Sequence, residues 1–208
     1  MRPTEKSVYD QPQEGSLLIV LSGPSGVGKD SVLRQLKELN HNWHFTVTST
    51  TRSQRPGEED GIDYIFLDRD TFHEKVRDGD FLECAEVYGN WYGVPRDQVS
   101  DALSKNIAVI IKADVQGAAT IRNIVSDAVF IFLMPPSPEE LERRLRERKT
   151  ETTPDLELRI RTAMEELYQL PFFDYVVVND ELESATSRIA AIVTAEKCRI
   201  PQRRVKLL

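Results

Sequence analysis

Cysteine is nearly absent: Cys84 and Cys198 are the only two in 208 residues. That excludes a disulfide framework and fits a reducing compartment, the cytoplasm, with both thiols read as packing residues rather than nucleophiles. Histidine is equally scarce, at three residues without metal-ligand spacing, so no zinc site is expected. No apolar run approaches the roughly 20 residues needed to cross a bilayer, and the opening MRPTEKSVYDQPQEG lacks the apolar core of an export signal, so no membrane partner is expected. Basic residues are in the minority, 27 against 34 acidic, for a net charge of −7. A general nucleic-acid binder needs a basic face and is therefore excluded, although one nucleotide can be held where basic groups converge. With 40% hydrophobic and 29% charged residues, the composition is that of an ordinary globular chain, long enough for one sizeable core and a small insert.

What is present is an alternation of short apolar runs and amphipathic stretches. SLLIVLS (16–22), IAVII (107–111), AVFIFLM (128–134) and YVVVN (175–179) are continuous apolar runs, suited to strands buried on both faces. Helical spacing is predicted over 31–39, 115–125, 137–148, 154–169 and 181–198. Strands alternating with helices indicate a parallel α/β sheet, whose ligands bind at the carboxyl ends of the strands. From about His44 to Pro95 the alternation breaks into short segments with several glycines, read as a small, mostly β insert. ERKTETTPD (147–155) is polar, as a mobile lid would be. The expected division is a tail at 1–15, a core at 16–45 and 96–198 with a lid at about 145–158, an insert at 46–95, and a basic tail at 199–208.

The stretch GPSGVGKDS, Gly23 to Ser31, nearly matches the phosphate-binding pattern G-x-x-x-x-G-K-[ST]. Glycines at Gly23, Gly26 and Gly28 let the backbone turn its amides inward, and the helix that follows adds the positive end of its dipole. Lys29 can reach the β- and γ-phosphates. Asp30 stands where a hydroxyl for Mg²⁺ is usual; a carboxylate is also a hard oxygen ligand, and Ser31 offers a hydroxyl one place later, so either is a candidate for the metal.

The chain resembles a guanylate kinase. That family carries a P-loop GPSGxGK, then S-x-T-T-R-x-P-R-x-G-E with a tyrosine shortly after, then LE, GNxYG[ST], IDxQG, an arginine-rich lid helix and a final N-D. Here the stretches are TTRSQRPGE, FLE, GNWYGV, KADVQG, RRLRERKTE and VVVND, in the same order from about Leu17 to Ile192. The resemblance implies a three-layer P-loop NTPase fold with a parallel central sheet, a small GMP-binding insert and a helical lid, in a monomer or homodimer that moves the γ-phosphoryl of ATP to GMP with Mg²⁺. It implies an ATP side of Gly23, Pro24, Ser25, Gly26, Val27, Gly28, Lys29, Asp30 and Ser31 with Arg144 and Asn179. It implies a GMP side of Thr48, Arg52, Arg55, Glu58, Tyr64, Glu83, Tyr92, Val94 and Asp114. Lys29, Arg52, Arg148 and Arg159 are the implied catalytic cations.

The residues make chemical sense on those terms. Arg52 and Arg55 would be a solvated charge face if isolated, but between Thr51 and Gly57-Glu58 they can grip a dianionic phosphate, with Tyr64 and Tyr92 adding hydroxyls. Glu83, after the apolar pair Phe81-Leu82, can accept from guanine N1–H and the exocyclic amine, a donor pair adenine lacks. Arginines closing from the lid suit a transition state that spreads charge over three oxygens. Several positions depart from the pattern. Thr48 keeps a hydroxyl where serine is usual, Val94 replaces a hydroxyl that reads the base, Gln54 replaces a proline, and Lys112 replaces an acid and is expected to touch phosphate or to pair with Asp30. Two alternatives stay open: a ribose 1,5-bisphosphate phosphokinase, which shares GKDS and YGV, and a non-catalytic guanylate-kinase-like scaffold that binds protein ligands.

Overall fold

A computed structural model describes residues 16–39, 42–125, 127–147, 153–200 and 205. Five strands form one all-parallel sheet: β1 (Leu18–Ser22), β2 (Trp43–Phe45), β7 (Ala108–Lys112), β8 (Val129–Met134) and β9 (Tyr175–Val178), in the order β2-β7-β1-β8-β9. β1 lies at the centre and every one of its residues is buried, as expected for a strand covered on both faces. Its alternate side chains go to opposite sides. Ile19 and Leu21 join Val32 and Leu36 of α1 (Lys29–Glu38) and Ile189 and Val193 of α7 (Leu182–Lys197). Leu18 and Val20 join Val99 and Leu103 of α3 (Arg96–Ser104) and Ala118 and Ile121 of α4 (Val115–Ile124). Helices thus cover both faces of the sheet.

β1 pairs with β7 on one side and β8 on the other, so connections leave its two edges in opposite directions. The crevice at the carboxyl end of such a strand is where open α/β sheets bind ligands. The 23–28 loop sits there, and the chain leaving β7 through Ala113 and Asp114 ends at the same place.

The insert is a second, mixed sheet of four strands, β3 (Ser49–Thr50), β4 (Ile65–Phe66), β5 (Phe81–Val87) and β6 (Asn90–Pro95), ordered β4-β3-β6-β5. β5 and β6 form a hairpin whose turn, Tyr88-Gly89, has φ of 49° and 74°, the paired positive values of a tight turn that matches strand twist. The insert also holds a ten-residue helix, α2 (Arg69–Asp78), that apolar periodicity did not reveal. Only Phe72 of α2 is buried, stacked on Phe81 with ring centroids 4.6 Å apart. Its signal lies in its caps: the Asp68 carboxylate accepts from the Thr71 amide at 2.8 Å, and Gly79 closes the helix at φ 75°. α3 and the three-residue edge strand β2 were also not anticipated.

The remaining helices are α5 (Pro138–Glu147) and α6 (Thr153–Leu167), with a 3₁₀ turn at Leu170–Phe172. The expected tails and the centre of the expected lid, including Arg148, lie largely outside the described residues.

Candidate active site

The phosphate loop folds as its glycines require. Gly23 has φ 143°, and a Cβ there would lie 2.2 Å from the Leu133 carbonyl oxygen, so any side chain would break the contact between the loop and β8. The Lys29 ammonium curls back over the loop, donating to the carbonyl oxygens of Gly23 at 2.5 Å and Pro24 at 3.1 Å. Burial lowers its pKa, against the opposing pull of the carboxylates of Glu166, Asp30 and Asp114. The loop is braced from outside the cleft. Asn179 donates to the Val27 carbonyl at 2.8 Å, and Arg144 donates to the carbonyls of Val27 at 3.3 Å and Asn179 at 3.1 Å. These two side chains therefore sit behind the loop, and neither lines the cleft in front of it.

That cleft, open to solvent, runs from the loop to the insert. On the insert side, Arg52 is clamped by Glu58, whose carboxylate oxygens lie 2.8 and 3.0 Å from its guanidinium. Glu58 also accepts from the Arg55 amide at 2.9 Å, so it shapes the arginine pair from behind while Arg52 and Arg55 line the cleft. The Arg52 guanidinium lies 5.2 Å from the centre of the Tyr64 ring, and the Tyr64 and Tyr92 rings meet edge-on at 6.2 Å. Two guanidinium groups and two phenols thus converge where a dianion would fit. Lys112 comes from the core to the same place. Its ammonium donates to Asp30 Oδ1 at 2.7 Å, which is the expected pairing, and also to the Tyr64 hydroxyl at 2.8 Å. Burial alone would lower the Lys112 pKa, but the Asp30 carboxylate and Tyr64 outweigh it and the net shift is upward, which keeps the ammonium charged.

The cleft also holds buried polar atoms without partners among the described residues. Glu83 is 8% exposed on β5, directly opposite Val94 across the hairpin, where the register shifts between Phe81 and Glu83. Such irregularities re-aim side chains, and here the carboxylate enters the cleft. Glu83 Oε2 and the hydroxyl of Thr48, itself 5% exposed, are buried without a hydrogen-bond partner among the described residues. An unmatched buried acceptor costs free energy until something donates to it. Burial, helped by the nearby Asp114 carboxylate, pushes the Glu83 pKa up to about 8.

Asp114 caps α4 by accepting from the Gly117 amide at 2.7 Å, and a Cβ on Gly117 would lie 2.5 Å from Glu83 Oε1. Gly117 is therefore the floor against which Glu83 rests. Replacing Gly117 with alanine favours the helix intrinsically but displaces the carboxylate, so KM for a base-bearing ligand beside Glu83 is expected to rise about tenfold, the effect of one weakened hydrogen bond to a charged group. Steady-state kinetics on G117A with the acceptor varied checks this.

α6 supplies the remaining wall. Arg159 and Glu166, seven residues apart and so two turns along one helical face, both line the cleft. Arg159 lies over the Tyr88 ring at 4.6 Å, which joins α6 to the hairpin turn. Glu166 accepts from the Ser25 amide of the phosphate loop at 3.1 Å, and burial raises its pKa against the pull of Lys29. The sequence reading missed Glu166; the signal was its helical spacing from Arg159. It also missed Val87, Tyr88, Gly93 and Ala113, which line the cleft as neighbours of the residues it named. Pro24, Ser31 and Glu58 do not line it, and Arg148 lies outside the described residues.

Residues 16–196 match the family model described as guanylate kinase. A guanylate kinase of Clostridium tetani is 44% identical over 187 residues, 90% of this chain and 89% of that protein. A rice protein described as guanylate kinase 2, chloroplastic/mitochondrial, is 44% identical over 199 residues, 94% of this chain and 70% of its own length. The crystal structure of guanylate kinase from Anaplasma phagocytophilum superposes with a TM-score of 0.77 at 36% identity, covering 90% of this chain and 89% of that one.

Proposed function

We infer, from the premise that the chain belongs to the guanylate kinase family and phosphorylates GMP, that the cleft is divided between two nucleotides. The phosphate loop and Lys29 take the donor, ATP. The insert takes GMP, with its phosphate on Arg52, Arg55, Tyr64 and Tyr92 and its base on Glu83 and Thr48. The observation that carries this division is Glu83 Oε2, buried without a partner among the described residues, in the same cleft as the phosphate loop. Guanine brings two adjacent donors to a carboxylate, whereas adenine would leave it unmatched. Val94 brings no polar group, so base reading falls to Glu83 and Thr48. Asp114 holds the turn that carries Gly117 and thereby fixes where Glu83 lies.

No covalent intermediate is required. Phosphoryl transfer needs the two phosphates in line and cations around the moving group, and Lys29, Arg52 and Arg159 surround that space. Arg144 and Asn179 hold the loop's shape from behind, and Glu166 fixes the Ser25 amide from the lid helix. Among the described residues no group of three or more His, Cys, Asp or Glu side chains could hold a metal alone. Mg²⁺ would be carried by the donor phosphates, and Asp30, a hard oxygen donor that lines the cleft, would hold it from the protein side. When bound, the ion neutralises charge on the β- and γ-phosphates. Among the described residues no helix is long and apolar enough to cross a membrane. The free Cys84 and Cys198 fit a reducing compartment such as the cytoplasm.

A coupled ADP-release assay with GMP, dGMP, AMP and ribose 1,5-bisphosphate side by side tests the reading. GMP and dGMP are expected to turn over, with AMP lower by about 1000-fold or more. Turnover of the sugar bisphosphate alone, or tight peptide binding with no turnover, would contradict it. The raised pKa of Glu83 adds a pH signature. Only the ionised carboxylate accepts both guanine donors, so affinity for GMP falls as pH drops below about 8. Between pH 8.5 and 6.5 the dissociation constant should rise roughly 25-fold by calorimetry; a constant affinity would argue that Glu83 does not meet the base.

A further inference from the structure

Lys112 has a role that the division above leaves unassigned. It stands at the carboxyl end of β7, and its side chain is 14% exposed where it meets the cleft. An ammonium has three N–H donors. Asp30, in the first turn of α1, takes one at 2.7 Å, and the Tyr64 hydroxyl of the insert takes another at 2.8 Å. The Tyr64 ring lies 4.0 Å from the Lys112 ammonium and 5.2 Å from the Arg52 guanidinium. Two cations therefore flank one aromatic ring, one from the core and one from the insert.

We propose that Lys112 is an acceptor-phosphate ligand, donating its third N–H to the phosphate of GMP while Asp30 and Tyr64 hold it in place. This rests on the reading of the cleft as a GMP site. The geometry favours it over a purely structural ion pair. Neutralising Asp30 takes one N–H; here a second is committed to a phenol that lines the same cleft as Arg52 and Arg55, which ties the ammonium to that cluster as well as to Asp30. The three-point arrangement fixes the ammonium next to the Arg52 cluster, where a dianion gains most from a further positive charge. Lys112 also joins the helix that begins at the donor loop to the tyrosine of the acceptor site, so it sets the distance between the two halves of the cleft.

The test is isothermal titration of GMP and of guanosine, without metal or donor nucleotide, into wild type, K112M, K112R, D30N and D30N/K112M. If Lys112 binds the phosphate, K112M weakens GMP by roughly 10- to 100-fold, the effect of one charge-assisted hydrogen bond. Guanosine, which has no phosphate, should change by no more than about twofold. K112R, which keeps the charge, should recover part of the loss. The same selective loss must appear on going from D30N to D30N/K112M, where no unpaired carboxylate remains to repel the phosphate. An unchanged GMP affinity, equal losses for GMP and guanosine, or a loss that vanishes in the D30N background would each overturn the proposal. Failure of wild type to bind either ligand would instead overturn the GMP-site reading, and this proposal with it.

Discussion

Replacing Glu83 with glutamine is expected to lower kcat/KM for GMP by at least about 100-fold while raising the protein's thermal stability. The two effects share one cause. Glu83 is buried, and its Oε2 meets no donor among the described residues. Guanine would supply two donors, and a glutamine amide would set its own N–H₂ against one of them. Without a ligand, the carboxyl group is a liability to folding. Its folded pKa, near 8, lies above the ordinary value. A group with a raised folded pKa contributes most below its unfolded pKa and loses that contribution as pH rises through the folded one. Wild type is therefore penalised progressively from about pH 4.5 to pH 8 and by a constant amount above that. Glutamine, which does not titrate, escapes this. The gap in Tm between E83Q and wild type should widen by about 8–15 °C between pH 5 and pH 8.5, corresponding to about 4 kcal/mol. Calorimetric melts at the two pH values, beside GMP kinetics, check both halves. A variant that loses GMP turnover and stability together would mark Glu83 as a packing residue instead.

The second large effect belongs to Lys29. Lys29→Met should lower kcat by about 1000-fold, because positioned cations supply most of the rate in phosphoryl transfer. GMP binding should be almost untouched, since on the proposed division of the cleft the base and phosphate groups of that site come from the insert and β7. The ammonium is folded over the carbonyls of Gly23 and Pro24. Arriving phosphate would draw it out of that contact, and Arg144 and Asn179 would hold the loop's shape meanwhile. Lys29→Arg is not a conservative rescue, because a planar fork cannot take a point charge's place inside the loop. Single-turnover kinetics with saturating ATP and GMP reads the effect directly. A kcat within tenfold of wild type would remove Lys29 from the transfer step.

Much of this architecture could be read from the chain, for physical reasons that differ by element. Three of the apolar runs became β1, β7 and β8 because strands buried on both faces carry continuous apolar sequence. The fourth became β9, which, contrary to expectation, is an edge strand with Val176 50% exposed, because among the described residues no further strand lies beyond it. The phosphate loop was legible because glycine, lysine, strand and helix must coincide for the backbone to turn its amides inward. α2 was not, because a helix pinned by Phe72 alone has no apolar stripe; its caps at Asp68 and Gly79 were the clue. β2, at three residues, is too short to show a period. The Asp30–Lys112 pair was foreseeable from two departures of opposite charge, whereas its third member, Tyr64, depends on how the insert docks on the core. Glu166 meets the phosphate loop across 141 residues of chain, a contact that local sequence does not encode.

The most direct measurement is a crystal structure of the protein with GMP bound. The guanine edge should lie on the Glu83 carboxylate with the Thr48 hydroxyl beside it, and the phosphate should lie among Arg52, Arg55, Tyr64 and Tyr92, facing the 23–28 loop. A nucleotide bound elsewhere, or one with its base in the loop and its phosphate away from the arginines, would contradict the division of the cleft on which every prediction above depends.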